Sequence, residues 1–318
     1  MDFKFLSNFL KVADLQNVTA AGAVLNVAPT ALSRQIKLLE HEFGAVLFER
    51  SARGMRLTTE GEALVAGAGR LLTGYRHLRT EVALASGQMG GTLDLGVLPS
   101  LEASVLPPII AAFRSRYPEV YIRVTVGLGK ELEALLRREK LDLALLYDVD
   151  GTLGGRTMRV STEALMLVGC VSRAFDYRRA VPLEALRTYK MILTSEEGGL
   201  RNKIEKAYAH RFSTPLQERI VMEANSILTL KNVLPGSDLV TILPQNAIEQ
   251  ELVNRILSAT YFADAPSLSR TLCVCYPPCQ VESRLAQLFE TIVSEEVRRR
   301  ASRYPAIQSD EASYPSTV

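Results

Sequence analysis

Residues 29–43 constrain this chain more than any other stretch, because the pattern is compatible with a helix that buries one side only. Leu32, Ile36 and Leu39, continuing to Phe43, recur at helical spacing and require a core beneath them. Thr30, Ser33, Arg34 and Lys37 fall at i, i+3, i+4 and i+7, so they project together on the opposite side. Hydroxyls and two long cations on one narrow face suit the major groove of B-DNA, where an arginine can pair bidentately with guanine O6 and N7. An ordinary amphipathic surface helix has the same pattern, and the flanking sequence separates the two readings.

Upstream, Leu6, Phe9, Leu10 and Ala13 share one face of a first helix, and Asn17 stands as N-cap of a short alanine-rich helix, Val18 to Leu25. Asn26-Val27-Ala28 is a tight connection, and Pro29 sits where a helix tolerates proline best, in its first turn. Two short helices joined by a turn, the second with a cationic face, form a helix-turn-helix. Downstream, Gly44 suits the position just past the helix end. Residues 46–58 then read as two short strands around a turn, punctuated by Arg50, Arg53 and Arg56. A hairpin in this position is a wing whose arginines can lie along the backbone or in a narrow minor groove of double-stranded DNA.

The 318-residue chain has a net charge of only +2, so nucleic-acid binding has to come from this local cluster. No apolar run is long enough for a membrane span and no secretory leader opens the chain, which makes a cytoplasmic protein the expectation. Four cysteines in such a length form no disulfide framework.

From Thr59 to Met89 the chain reads as one long helix, with Thr59 and Glu62 spaced as a capping box and Leu64, Leu71, Leu72, Tyr75, Leu78 and Val82 as apolar positions. Packing within the chain or against a second copy would both cover that stripe. Gly87 to Gly91 marks a domain boundary. Beyond it, strands at 92–97, 120–126 and 141–147 alternate with helices at 105–117 and 130–138. A second series follows, with strands at 164–171, 191–194, 220–223, 239–243 and 272–276 and helices at 200–210, 226–233, from Pro244, and 281–299. This alternation implies a mainly parallel sheet covered by helices. The fold expected is α/β overall, with a winged helix-turn-helix at 1–58, a linker helix at 59–89, an α/β unit at 90–300 and a disordered tail at 301–318.

Asn17-Val18-Thr19-Ala20-Ala21, Ala31-Leu32-Ser33-Arg34-Gln35-Ile36, Leu47-Phe48-Glu49-Arg50 and Leu57-Thr58-Thr59-Glu60-Gly61 closely resemble the amino-terminal winged helix of LysR-type transcriptional regulators. Gly96-Val97-Leu98-Pro99-Ser100, Phe113 to Pro118 and Leu141-Asp142-Leu143-Ala144 resemble the same family's effector domain, which has two lobes built like a periplasmic solute-binding protein. Residues 145–148, 192–195 and 199–201 lean toward the nitrogen-assimilation-control branch. The family usually enters its recognition helix through Ser-Gln-Pro, whereas this chain has Ala28-Pro29-Thr30. The resemblance therefore supports Ser33, Arg34 and Lys37 as DNA contacts more than Pro29, and Thr30 is the candidate to replace the missing polar contact. It also implies that the linker helix pairs with its copy in a homodimer or homotetramer on a pseudo-palindromic operator. RNA polymerase is a further partner open to such a regulator.

In open α/β sheets, ligands settle beyond the carboxyl ends of strands. Ser100, Gly127, Thr194, Ser195, Asn225 and Pro244 occupy such positions, and the resemblance puts a small-molecule effector cleft between them. Ser100 could hold an anion or simply cap a helix, and Asn225 reads most simply as a cap. Glu102, Glu196 and Glu197 argue against a bare-anion pocket. No cofactor is called for. Cys273, Cys275 and Cys279 leave open a metal- or oxidation-sensing regulator, with Cys273 and Cys275 on one face of a strand. His41, His77 and His210 have no partner at ligand spacing, and no hydrolase, zinc-protease or phosphate-loop motif occurs. The remote alternatives, a solute-binding protein or an enzyme without a DNA role, thus have no motif behind them.

Overall fold

The computed structural model describes residues 2–51, 54–86, 90–149, 154–176, 178–195, 199–278 and 283–303. Helices α1 (Phe3–Leu15), α2 (Val18–Leu25) and α3 (Pro29–Phe43) precede the hairpin β1 (Phe48–Ser51) and β2 (Gly54–Leu57), and α4 (Thr59–Ala85) follows. Leu6, Phe9 and Val12 of α1 meet Leu32, Ile36 and Leu39 of α3 and Phe48 of the wing in one core. Asn17 caps α2 by accepting from the Ala20 N–H at 3.0 Å, and Pro29 opens α3 with no side-chain cap at Ala28. Gly22 permits the tight turn: a Cβ there would lie 2.6 Å from the Val27 carbonyl oxygen.

Two local expectations need correction. Phe43 is 46% exposed, because it is the last helical residue before Gly44 and the stripe has run past the core that holds Leu39. The cap of α4 is Thr58, not Thr59. The Thr58 hydroxyl donates to Val46 O at 2.7 Å and accepts from the Gly61 N–H at 2.9 Å, which ties the start of α4 to the wing.

The remaining strands form one nine-stranded sheet with two lobes. In the first lobe β3 (Gly91–Val97) pairs in parallel with β4 (Val120–Val126) and β5 (Leu143–Tyr147). Helices α5 (Pro99–Glu102), α6 (Leu106–Arg116) and α7 (Gly129–Arg137) connect these strands. Leu143 and Leu145 point to the layer that holds Phe113 and Phe289, while Ala144 and Leu146 point to Leu132 and Leu136 of α7. Alternation along β5 thus buries both faces of the sheet.

β6 (Thr157–Cys170) runs through both lobes. In the second lobe β7 (Met191–Leu193) pairs in parallel with β8 (Ile220–Glu223) and β9 (Val240–Pro244), with α8 (Gly199–Ala209), α9 (Ile227–Val233) and α10 (Gln245–Val253) packed on them. β10 (Leu257–Thr260) and β11 (Ser269–Cys275) complete the sheet, and α11 (Arg284–Arg303) returns to the first lobe. The sheet is less parallel than predicted: β11 pairs antiparallel with β5 and β6, and β6 pairs antiparallel with β9 and β10. The first half of β6 was missed because residues 157–163 are partly exposed and polar, and β10 and α5 are too short to carry a period.

β6 exchanges partners between Ala164, opposite Ser269 of β11, and Leu165, opposite Pro244 of β9. The return passage lies beside it, where the Leu165 N–H donates to Leu268 O at 2.8 Å. The expected tail falls outside the described residues from 304 onward, as does the 87–89 end expected for the linker helix.

Candidate nucleic-acid interface and effector cleft

On α3 the buried stripe leaves Pro29, Thr30, Arg34 and Lys37 exposed and Ser33 half-buried on the outer face. Neither Arg34 nor Lys37 has an ion-pair partner among the described residues, and neither has Arg56, exposed on β2. Gln35, in the middle of the same helix, faces inward and accepts from Asn8 Nδ2 of α1 at 2.8 Å, which sets the rotation of α3 about its axis. The Leu47 N–H donates to Glu40 Oε1 at 2.9 Å, and the Met55 N–H to Gln16 O at 2.9 Å, so both ends of the wing are fixed to the helices. Gly61 lets α4 approach: a Cβ there would fall 2.2 Å from Leu47 O. Arg50 lies on β1 opposite Met55, its side chain outside the description, and Arg53 lies outside the described residues.

α4 is joined to the first lobe by a charged junction absent from any sequence motif. His77, buried, lies 2.9 Å from Asp142 Oδ1, and Asp142 Oδ2 accepts from the Asp94 N–H at 2.8 Å. Arg76 and Arg123 each donate to the Asp94 carboxylate at 2.8 Å, and Thr73 donates to Glu139 O at 3.2 Å. An ionised Asp142 can only accept, so His77 carries its proton on Nε2. The opposite face of α4 leaves Leu71, Tyr75, Leu78 and Val82 exposed.

Between the lobes lies a cavity of about 830 Å³. Ser100 of α5, Gly127 after β4 and Asn225 after β8 all line it, so three of the six predicted positions meet. The others do not line it. The Thr194 carbonyl is taken by Arg201, and Pro244 is the extended residue before α10, whose Ala247 reaches the cavity instead. Neither serine nor asparagine acts as the expected cap: Ser100 sits inside α5, and Ser226 caps α9 by accepting from the Thr229 N–H at 3.3 Å. Glu102, Glu131 and Lys231 also line the cavity, of which only Glu102 was singled out in the sequence. The signal for Glu131 was its place three residues after Leu128, where its carboxylate accepts the Leu128 N–H at 2.9 Å. Glu196 and Glu197 lie outside the described residues.

Beside the exchange point of β6, Tyr147 donates to Glu163, and Asn246 Nδ2 donates to the Tyr147 hydroxyl at 2.8 Å and to Glu163 Oε1 at 3.0 Å. Burial pushes the Glu163 carboxyl up from the usual range, and the Tyr147 hydroxyl and Arg270 offset this only in part. Arg270 stacks 3.5 Å above the Tyr147 ring, and Lys203 of α8 pairs with Asp148 at 3.0 Å. These contacts hold the lobes together across their join.

Cys273 and Cys275 do share a face, but it is the buried face packed on Leu132 and Leu136. Burial raises both thiols, Cys275 to about 12, so they are protonated and poor ligands or redox centres. Cys279 lies outside the described residues, and no group of three metal-ligating side chains occurs among those described. Among them also, no helix is long and apolar enough to cross a membrane.

A winged helix-turn-helix with an outward cationic face, followed by a two-lobed α/β unit around a cavity, defines a ligand-responsive DNA-binding regulator. The description "Bacterial regulatory helix-turn-helix protein, lysR family" matches residues 3–62, and "LysR substrate binding domain" matches residues 86–298. The chain belongs to the LysR family of transcriptional regulators, a family of regulators and not of enzymes. It is 28% identical over 251 residues to the nitrogen assimilation regulatory protein nac of Escherichia coli K12, covering 78% of this chain and 79% of that one. It is 24% identical over 299 residues to the hydrogen peroxide-inducible genes activator of Haemophilus influenzae, covering 94% and 98%. A full-length OxyR variant from Pseudomonas aeruginosa superposes with a TM-score of 0.71 at 20% identity, over 94% of this chain and 95% of that one. Full-length CbnR in complex with its target DNA does so at 0.63 and 20% identity, over 93% and 100%. The last two likenesses concern the fold alone.

Proposed function

We propose that this regulator acts in the cytoplasm as a homodimer or homotetramer on a pseudo-palindromic operator, and that a small molecule between the lobes changes how it holds the DNA. The observation that carries the DNA reading is the set of exposed cations on α3, with Arg34 and Lys37 free of ion pairs among the described residues. Thr30, Ser33, Arg34 and Lys37 would enter the major groove, Pro29 would start the helix at the groove edge, and Arg50, Arg53 and Arg56 would contact the backbone or minor groove. CbnR was solved with its target DNA, which supports the same use of this fold. Leu71, Tyr75, Leu78 and Val82 give α4 an apolar strip suited to a second copy. Ser100, Gly127 and Asn225 would contact the effector. The effector must bind one arrangement of the lobes better than another, since only differential affinity shifts an equilibrium. Gel retardation on the DNA upstream of the protein's own gene tests the reading. Salt-sensitive retardation that scrambled DNA fails to compete is the result expected, and equal competition by scrambled DNA would overturn it.

A further inference from the structure

We propose that the inter-lobe cavity takes a ligand carrying a protonated amine in place of a carboxylate. The proposal rests on the effector reading above and names the chemistry of that site. A volume of about 830 Å³ falls in the range of small-molecule sites. What a ligand meets inside is decided by which charges the chain has already satisfied.

Two of the features that would attract an anion, Lys231 and the start of α7, already face carboxylates of the chain. Lys231 Nζ lies 2.7 Å from Glu251 Oε1, with only 11% of the lysine side chain exposed. At the start of α7, Glu131 accepts the Leu128 N–H with its Oε2, which sets a carboxylate against the positive end of that helix. A carboxylate entering at either place would have to displace one of these internal carboxylates, and anywhere in the cavity it would stand near Glu102 or Glu131. The lining presents two carboxylates, Glu102 and Glu131, against one ammonium, and Glu251 cancels that ammonium from behind. Like charges gathered in a partly desolvated cleft repel an anion and favour a cation.

An amine finds acceptors there. Glu102 has no hydrogen-bond or ion-pair partner among the described residues. Ser100 is only 6% exposed, lines the cavity, and its hydroxyl has no hydrogen bond within the described chain. A hydroxyl that opens on the cavity and has no partner among the described residues is available to a ligand there. An ammonium donates three hydrogen bonds and accepts none, which suits two carboxylates and a hydroxyl. Val126, Leu128, Ile227 and Leu228 supply apolar walls for an aliphatic body.

The test uses the full chain and three probes of matched length: 1,4-diaminobutane, succinate and 1,4-butanediol. Thermal unfolding and calorimetric titration are expected to show binding of the diamine, with Tm raised on the order of 5 °C near saturation. The diol and the dicarboxylate are expected to leave Tm unmoved. Glu102→Gln should weaken the diamine roughly tenfold or more, whereas Glu119→Gln, the same charge change outside the cavity, should leave it intact. Stabilisation by succinate equal to that by the diamine, no response to the diamine, or an unaltered titration of Glu102→Gln would each overturn the proposal. Operator retardation measured without any probe keeps the two readings apart, because it reports on α3 whatever the cavity binds.

Discussion

Truncating Asp142 to alanine should loosen the linker helix from the first lobe, and the cost follows from two hydrogen bonds. Asp142 accepts from His77 Nε2 at 2.9 Å and from the Asp94 N–H at 2.8 Å, and both it and His77 are buried. The alanine variant orphans both donors. A buried donor left without an acceptor costs about 1–3 kcal/mol, so Asp142→Ala should lose about 2–6 kcal/mol. Asp142→Asn keeps one oxygen for the Asp94 N–H and turns an amide toward His77, which can accept it by changing tautomer. Its cost should stay below about 2 kcal/mol. His77→Ala leaves Asp142 one donor and should cost about 1–3 kcal/mol, and the His77/Asp142 double-alanine variant should cost less than the sum, by about 1 kcal/mol or more. Hydrogen exchange of amides at 73–80 measures the opening of α4 directly and avoids assuming that the whole chain unfolds in two states. Equal protection in the alanine and asparagine variants, or strict additivity in the cycle, would refute this account of the junction.

Arg34→Ala should weaken operator binding by about 1–3 kcal/mol and relax discrimination at one base position, while Lys37→Ala should weaken all sequences alike if it meets phosphate; titrations on operator and point-substituted operators compare them, and unchanged discrimination in the Arg34 variant would remove its base contact. Glu163 has its pKa raised by burial, so the folded state holds the proton longer than the unfolded state does, and this group's contribution is best below the ordinary carboxylate pKa and declines as pH rises through the folded value. Glu163→Gln should therefore flatten the loss of stability between acid and neutral pH, and parallel Tm profiles for the two proteins would contradict it. The Cys170 thiol, on a residue only 8% exposed, is lowered to about 7 by the Ser172 hydroxyl and neighbouring backbone N–H groups, whereas Cys275, fully buried, is raised to about 12 by burial. At pH 8, alkylation followed by peptide mapping should label Cys170 faster than Cys275 by about a hundredfold or more; equal labelling in the native protein would refute the contrast.

Local periodicity made the amino-terminal unit readable: Leu32, Ile36 and Leu39 are buried, Arg34 and Lys37 are exposed, and Asn17 caps α2 as its position suggests. The misreadings sit where a neighbouring element decides. Thr58 outranks Thr59 as a cap because the wing supplies Val46 O, and Phe43 is exposed because the core ends at Leu39. In the second part, positions at strand ends placed Ser100, Gly127 and Asn225 at one cavity. Sequence position could not tell that Arg201 would claim the Thr194 carbonyl, nor that Glu251 would pair with Lys231 and Glu131 with the Leu128 N–H. Nor could it pair His77 with Asp142, 65 residues away. Contacts of that range have no period.

The two lobes are joined by side-by-side passages of chain, one at Ala164–Leu165 and the other at Leu268–Ser269, held by the Leu165 to Leu268 hydrogen bond. A narrow ribbon of two bonded strands flexes across its flat face much more easily than within its plane. Bending across that flat face is therefore the direction in which the join itself resists least, like the covers of a book about its spine. Glu163 and Arg270 each lie within two residues of that spine, and Tyr147 and Asn246 meet Glu163 there. A change of charge or shape at this point is multiplied by the full length of both lobes, so a small displacement at the spine becomes a large one at the outer rims.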